Sequence, residues 1–301
     1  MSNASWNDFW ASDARGSGCG ASGTQWDAIE RAQGPIWQSF ARTLPKAARV
    51  VDLATGNGVV MGWLSSARRD LKLVGVDLAP SLPAPPKGTR SLPGIAMEAL
   101  PFPDGSQDAV VSRFGLEYGD VDKVVPEVAR ILKPGGRAAF MTHRLDGPIL
   151  AHNIPRRAGL KWALDDAELL GKARASLQLR RIGLGIPATL ANAPAEAMRR
   201  FGPRSAGWEI AEAVLQTLKL GWQDSDRAIE EVLDTLQAKA ANELARIDSL
   251  ENACRVAAET GRLKAIFAAS GLEVTATEAV REVGGSAPFA DTWFLRKSAG
   301  A

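Results

Sequence analysis

VVDLATGNGVV, residues 50–60, runs apolar to an acid, Asp52, and then breaks into the turn Ala54-Thr55-Gly56-Asn57-Gly58. A near-continuous apolar run of this kind reads as a parallel strand buried on both faces. The glycines permit positive φ and let main chain come within van der Waals reach of a ligand. A dinucleotide fingerprint would read G-x-G-x-x-G, with pyrophosphate on the helix N-terminus. Here Gly56 and Gly58 are followed by a third glycine one place late, at Gly62. Asp52 would also repel an anion at close range, whereas an ammonium group suits it. No Gly-Lys-Ser/Thr follows, so a Walker-type phosphate loop is excluded. The turn is expected to hold a ligand that presents no phosphate.

Outward from this stretch, strands are predicted at 49–54, 71–77, 108–114 and 137–143, with helices at 59–68 and 121–132 between them. The alternation predicts a doubly wound, mostly parallel sheet. ILKPGGR predicts a sharp turn into the strand at 137, built on Pro134 and the Gly135–Gly136 pair. LAPSLPAPPKGTR carries four prolines where a helix would otherwise connect strands. Proline costs about 3 kcal/mol inside a helix, so an extended loop is predicted. Residues 1–45 read as an N-terminal helical arm containing TQWDAIERAQGPIWQSFART, and residues 145–261 as a helical insertion. GRLKAIFAASG then predicts a helix, and LEVTATEAV and ADTWFLRK two further strands. The α/β domain is thus expected over 46–144 and 262–301.

The second strand closes on Asp77, placed to accept hydrogen bonds from both ribose hydroxyls of a nucleoside. With MEALPFPDGSQDAVVSRFGLEY and the LKPGG turn added, the chain resembles class I S-adenosylmethionine-dependent methyltransferases. It is most similar to the group holding ubiquinone/menaquinone C-methyltransferases and many small-molecule enzymes. VVDLATGNG corresponds to that family's first motif, VGVDLAP to the second, EALPFPDGSQDAVVSRFGLEY to the adenine loop and fourth strand, and ILKPGGRAAFM to the fifth-strand entry. The resemblance covers 49–144 well, the last strands loosely, and 145–261 not at all. It implies a seven-stranded, Rossmann-like sheet with an inserted helical lid, and S-adenosylmethionine as cofactor with S-adenosylhomocysteine as product. It further implies that Asp52 and the main chain at Ala54, Thr55, Gly56 and Gly58 hold the methionine part. Asp77 would take the ribose and Leu78 pack on the adenine. Met97 and Glu98 would flank the purine edge, and Arg113 would lie beneath the methionine moiety. Ala96 stands where the family often has an acid, so the adenine amino contact is expected from Glu98.

Bulk properties bound the partners. Lys and Arg total 36 against 34 Asp and Glu, a net charge of +2, too small to point to nucleic acid or a membrane surface. No apolar run reaches the roughly 18 residues of a membrane span, and the N-terminus lacks the marks of a signal peptide, so a cytoplasmic location is expected. Two cysteines and two histidines show no metal-ligand spacing, and no metal is expected. Cys19 and Cys254 read as small hydrophobes. From Arg144 to Arg204 there are 11 basic and 5 acidic residues, and from Ser205 to Gly261 there are 5 and 11. The two halves either pack through complementary surfaces or recruit an anionic substrate or acidic partner. Self-association, if present, is expected through this insertion.

Methyl transfer from a sulfonium is an in-line displacement, in which alignment and exclusion of water dominate. A hydroxyl or acidic carbon acceptor also gains from a general base. His143 past the fifth strand, and Glu117 and Tyr118 past the fourth, fall outside the carboxyl ends of the strands, where ligands of open α/β sheets sit. His143 is the best placed, because an imidazole takes up a proton near neutral pH. SRFGLEY lacks the Asn-Pro-Pro-aromatic run that seats a base nitrogen, and no Pro-Cys nucleophile occurs, so a small-molecule acceptor is expected. Trp162, Trp208 and Trp222 either line an acceptor pocket or pack helices, and Trp6, Trp10 and Trp26 either close over the cofactor or form a small core. A nicotinamide-dependent oxidoreductase is the first rival, weakened by the displaced glycine and by the lack of a Tyr-x-x-x-Lys pair. A non-catalytic cofactor-binding scaffold acting through its helical insertion is the second.

Overall fold

The computed structural model describes residues 24–282, 285 and 287–299. Trp6, Trp10, Cys19 and the side chain of Trp26 lie outside the described residues, and with them the expectations placed on them. Helix α1 (Thr24–Arg42) precedes β1 (Arg49–Leu53), α2 (Val59–Ala67), β2 (Lys72–Val76), β3 (Arg90–Leu92) and β4 (Gln107–Arg113). There follow α3 (Val121–Ile131), β5 (Leu132–His143) and the helices α4 (Pro148–Lys161), α5 (Leu169–Arg181), α6 (Ala188–Ala191), α7 (Ala193–Phe201), α8 (Ala206–Leu220) and α9 (Asp226–Ala258). The chain closes with α10 (Thr260–Ala269), β6 (Leu272–Arg281) and β7 (Pro288–Lys297).

The seven strands form one sheet in the order β3-β2-β1-β4-β5-β7-β6. Pairings from β3 to β5 are parallel, and β7 enters antiparallel between β5 and β6. Helices cover both faces, so the sheet is the doubly wound, mostly parallel, seven-stranded Rossmann-like sheet that the resemblance implies. On one face, Trp37 and Phe40 of α1 and Val60, Met61 and Leu64 of α2 cover Val50, Val111, Ala139 and Met141. On the other, Val124, Val125 and Val128 of α3 and Phe267 of α10 cover Val51, Leu53, Val110 and Phe140. The strands are apolar at consecutive positions because both faces are buried. Each fully buried Val or Leu contributes roughly 1.5–3 kcal/mol.

The β1 register places Asp52 beside Gly75 of β2 and Val111 of β4, and Arg113 pairs with Met141 of β5. Successive side chains alternate between faces. Asp52, Arg113 and His143 therefore share the α1/α2 face with Val50, Val111 and Met141, and all three sit at or near the carboxyl ends of adjacent strands.

The structure corrects two local expectations. LKPGG is not a turn before the fifth strand. It lies inside β5, where Gln107 pairs with Leu132 and Ala109 next with Arg137, so the extra residues bulge out around Gly135 at φ 75°. The strand β3 was not located in the sequence, since three residues, Arg90–Leu92, are too few to show a period. Between β2 and β3 the proline-rich stretch forms no helix, as predicted.

The chain divides into two compact units, one ending at Leu150 and resuming at Ser249, the other spanning Ala151–Asp248. The helical unit has its own core, built on Trp162, Leu170, Leu177, Val214 and Leu233. Trp162 lies against Phe201 at 5.7 Å and Trp208 packs on the same cluster, so both pack helices, whereas Trp222 is exposed. The charge asymmetry resolves into ion pairs within this unit: Arg156 with Glu209 and Glu243, Arg157 with Asp248, Arg174 with Asp234, and Arg180 and Arg181 with Asp226.

Candidate active site

The turn after β1 is held by its neighbours on the sheet. Ala54 takes φ 50°, a left-handed conformation uncommon outside glycine, and the Thr55 N–H donates to the Val76 carbonyl at 3.0 Å. The Thr55 hydroxyl donates to Asp52 Oδ2 at 2.6 Å. Gly75 makes room for this: a Cβ there would lie 2.6 Å from Thr55 Cβ. Gly58 starts α2 at φ 76°, and a Cβ on it would meet Pro86 Cδ at 2.7 Å. The proline-rich loop thus closes down on the turn.

Asp52 is 2% exposed. Burial raises its pKa from the ordinary carboxylate range to about 7; the Thr55 hydroxyl pulls it down, the neighbouring Asp77 adds to the rise, and Arg113 opposes it. Asp77 is also raised, again by burial, against main-chain N–H donors at Ala79, Gly56 and Leu78. Its Oδ2 accepts the Gly56 N–H at 2.9 Å and its Oδ1 the Ala79 N–H at 3.0 Å. The second acid therefore fixes the first turn. A buried carboxylate, Asp52, and a partly exposed one, Asp77, thus stand side by side at the ends of β1 and β2, an arrangement suited to a cation.

Leu78 is 43% exposed next to Asp77. Met97 and Glu98 lie against Gly119, and Glu98 Oε1 accepts the Asp120 N–H at the start of α3, at 3.0 Å. One oxygen of the carboxylate expected at the adenine is thus engaged in holding that helix. Arg113 donates from Nε to Gln33 Oε1, and its guanidinium lies over Trp63 at 5.6 Å and over Phe114 at 5.2 Å. Gln33 is fully buried on α1 and its amide also donates to the Ile29 carbonyl at 3.0 Å. Gln33 was not legible as a site residue, because its helical spacing marks a core position and its partner is 80 residues away.

The three candidate bases come together. Glu117 and Tyr118 lie on a single 3₁₀ turn, Leu116–Tyr118, directly after β4. Ser112 anchors it, its hydroxyl donating to the Leu53 carbonyl and accepting the Leu116 N–H, both at 3.1 Å. Glu117 Oε1 lies 2.8 Å from both the main-chain nitrogen and Nδ1 of His143. The imidazole rests on Phe114, ring centroids 4.2 Å apart, with Tyr118 edge-on at 5.8 Å. Phe114 in turn carries the Arg113 guanidinium, so the β4 and β5 ends form one connected cluster. Among the described residues, no group of three metal-ligating side chains is present.

Comparison with known proteins gives a matching picture. Residues 51–140 match the family model described as a methyltransferase domain. The demethylmenaquinone methyltransferase of Thermus thermophilus is 37% identical over 101 residues, 31% of this chain and 46% of the relative. The ubiquinone/menaquinone biosynthesis C-methyltransferase of Geobacter sulfurreducens is 35% identical over 109 residues, 32% of this chain and 42% of the relative. The chain thus spans about half the length of these relatives or less. A solved S-adenosylmethionine-dependent methyltransferase from Aquifex aeolicus aligns over 86% of this chain and 88% of its own, at TM-score 0.40 and 12% identity. The glycine turn and both acids fall inside the segment 51–140 that matches the methyltransferase-domain model.

Proposed function

We propose that the protein transfers a methyl group from S-adenosylmethionine to a small-molecule acceptor. The observation that carries this is Asp52, a carboxylate buried at the end of β1 under a turn of bare main chain, with Asp77 bracing that turn from β2. A carboxylate so placed is satisfied by an ammonium, and a pyrophosphate would meet two acids. The residues fit the cofactor in donor set: Asp52, buried at the end of β1, suits an ammonium, and Asp77, at the end of β2, suits the ribose hydroxyls.

In this reading Asp52, Thr55 and the main chain at Ala54, Gly56 and Gly58 take the amino-acid end. Asp77 takes the ribose, Leu78, Met97 and Glu98 the purine, and Arg113 closes the methionine side. The bound cofactor supplies an electrophilic methyl on sulfur. The chain's own work is to orient the acceptor, exclude water and receive the proton that a hydroxyl or acidic carbon loses. His143, at the end of β5 on the same sheet face as Asp52 and Arg113, is the base. Selection of the acceptor falls to residues outside the matched 51–140. Menaquinone and ubiquinone precursors, acted on by the relatives, are the first acceptors to try, and nucleic acid is not expected. The proposed place of action is the cytoplasm; among the described residues no helix is long and apolar enough to cross a membrane.

Incubation with cofactor labelled in the methyl group and a small-molecule extract tests the reaction. The expected result is label in an acceptor with stoichiometric S-adenosylhomocysteine. Binding of cofactor with no transfer to any acceptor would favour a scaffold role instead.

A further inference from the structure

Away from the turn that follows Asp52, the α1 face of the sheet holds a cleft of about 430 Å³, within the roughly 300–1,000 Å³ usual for small-molecule sites. It lies inside the α/β unit, between α1 and strands β5, β7 and β6. Ile36 and Phe40 of α1 and Phe294 of β7 give it an apolar floor, the two phenyl rings 6.2 Å apart and 30° from parallel. Beside Phe294, β6 carries a bulge. Thr275 is an extra residue between the pairs Val274–Leu295 and Ala276–Phe294, and such an insertion bends its strand.

One end of the cleft is cationic. Arg137 of β5 and Arg296 of β7 are direct partners across the antiparallel pair, and both line it. Like charges directly opposite on neighbouring strands are destabilising. Elsewhere the fold closes arginines with carboxylates, as Arg130 with Glu127 and Asp104, and Arg144 with Asp146 and Asp291. Among the described residues, neither Arg137 nor Arg296 makes an ion pair. Glu273 stands beside Arg296 on β6, yet Arg296 leans the other way, its Nη2 3.8 Å from where a Cβ on Gly135 of β5 would stand. The hydroxyls of Thr43 and Thr275 donate to the Phe40 and Phe294 carbonyls, at 2.8 and 3.0 Å. The side-chain donors left on the wall, among the described residues, are the two guanidiniums and the Ser39 hydroxyl. Glu278 lines the other end; its partner Thr292 is four positions from Arg296 along β7, roughly 13 Å.

We propose that this cleft binds a small molecule with one anionic end, a carboxylate or phosphate, on a flat apolar body. The anion lies between Arg137 and Arg296, whose planar guanidiniums each offer paired N–H donors to such a group. The body rests on Phe40 and Phe294, and Glu278 repels a second anion at the far end. Arg137 stands six positions before His143, so the site lies roughly 20 Å down β5 from the strand ends that carry Asp52 and Arg113. Binding here does not depend on the methyltransferase reading.

Ligand-observed NMR on the full chain tests this with hydrocinnamate, phenyl phosphate, inorganic phosphate and the uncharged hydrocinnamyl alcohol. Hydrocinnamate or phenyl phosphate is expected to bind, the tighter of the two identifying the anion, with inorganic phosphate and the alcohol each about tenfold weaker or more. Arg137→Gln and Arg296→Gln should each weaken binding about tenfold, the loss expected for one charge-assisted contact. Ala276→Phe, which fills the cleft and keeps both arginines, should abolish binding of the aromatic anions. Saturating S-adenosylhomocysteine should leave the affinities unchanged. No binding of either aromatic anion at millimolar concentration would overturn the proposal, as would wild-type affinity in the arginine variants. Inorganic phosphate binding as tightly as the aromatic anions would mean ions on surface arginines only, and would overturn it too. Displacement of the aromatic anion by S-adenosylhomocysteine would do the same, by placing the probe in the cofactor crevice.

Discussion

At the scale of single residues, the site is governed by two acids that the fold sets to different purposes, Asp52 buried and Asp77 partly exposed. Asp77 holds the Gly56 and Ala79 N–H groups and is proposed to hold the ribose as well. Asp77→Ala should therefore weaken S-adenosylmethionine binding by about 1–3 kcal/mol, through loss of charge-assisted contacts. Calorimetric titration checks this, and unchanged affinity would remove the ribose assignment. Asp52 makes a pH prediction. Its pKa lies at about 7 in the fold against 3.8 for the ordinary side chain. A raised acid contributes stability below its unfolded pKa and loses it as pH rises through the folded value, so burial of Asp52 costs most above about pH 7. A bound ammonium would reverse this by favouring the ionised carboxylate. Affinity for S-adenosylhomocysteine should then rise from about pH 5 to about pH 7 with release of a proton, and flatten over that range in Asp52→Asn. A flat wild-type profile would contradict the pairing. Asp52 and Asp77 were legible in the sequence because a strand that ends in an acid before a turn is a local pattern. The Glu117–His143 bond was not, since its partners are 26 residues apart and meet only through the β4–β5 register.

Strands and turns show why some glycines matter more than the motif suggests. The motif glycines, Gly56 and Gly58, announce themselves in the sequence. Gly75 looks like an unremarked position in LKLVGVD, yet it faces Asp52 across the β1–β2 pair and leaves the volume that Thr55 fills. Gly75→Ala should destabilise the fold by about 1–3 kcal/mol through overpacking, and should weaken cofactor binding by displacing Thr55 from Asp52. Chemical denaturation and titration of the same variant test both; a stable, tightly binding variant would show that the turn relaxes freely. The main elements were legible because buried parallel strands are apolar throughout and their connecting helices alternate with them. The start of β5 was obscured because Pro134, Gly135 and Gly136 carry a turn's composition. Their bulge is specified by pairing with Gln107 and Ala109 on another strand, which no local pattern reports.

At the scale of the whole molecule, the chain holds two compact units, each with its own core. The family match ends at residue 140, and the Ala151–Asp248 unit carries its own core and its own network of ion pairs. Its charge asymmetry, which left an anionic partner open in the sequence, is used at least in part to join its first and second halves. Trp162, Leu177 and Leu233 in its core bury the apolar surface that holds the unit together. The proposed function sets the α/β unit a stricter requirement, that the buried Asp52 meet a cation at the end of β1. Calorimetric titration of the purified chain with S-adenosylhomocysteine, and separately with NADH, tests that most directly. The predicted result is saturable one-to-one binding of S-adenosylhomocysteine, lost or much weakened in Asp52→Ala, and no binding of NADH. Binding of NADH without S-adenosylhomocysteine would contradict it.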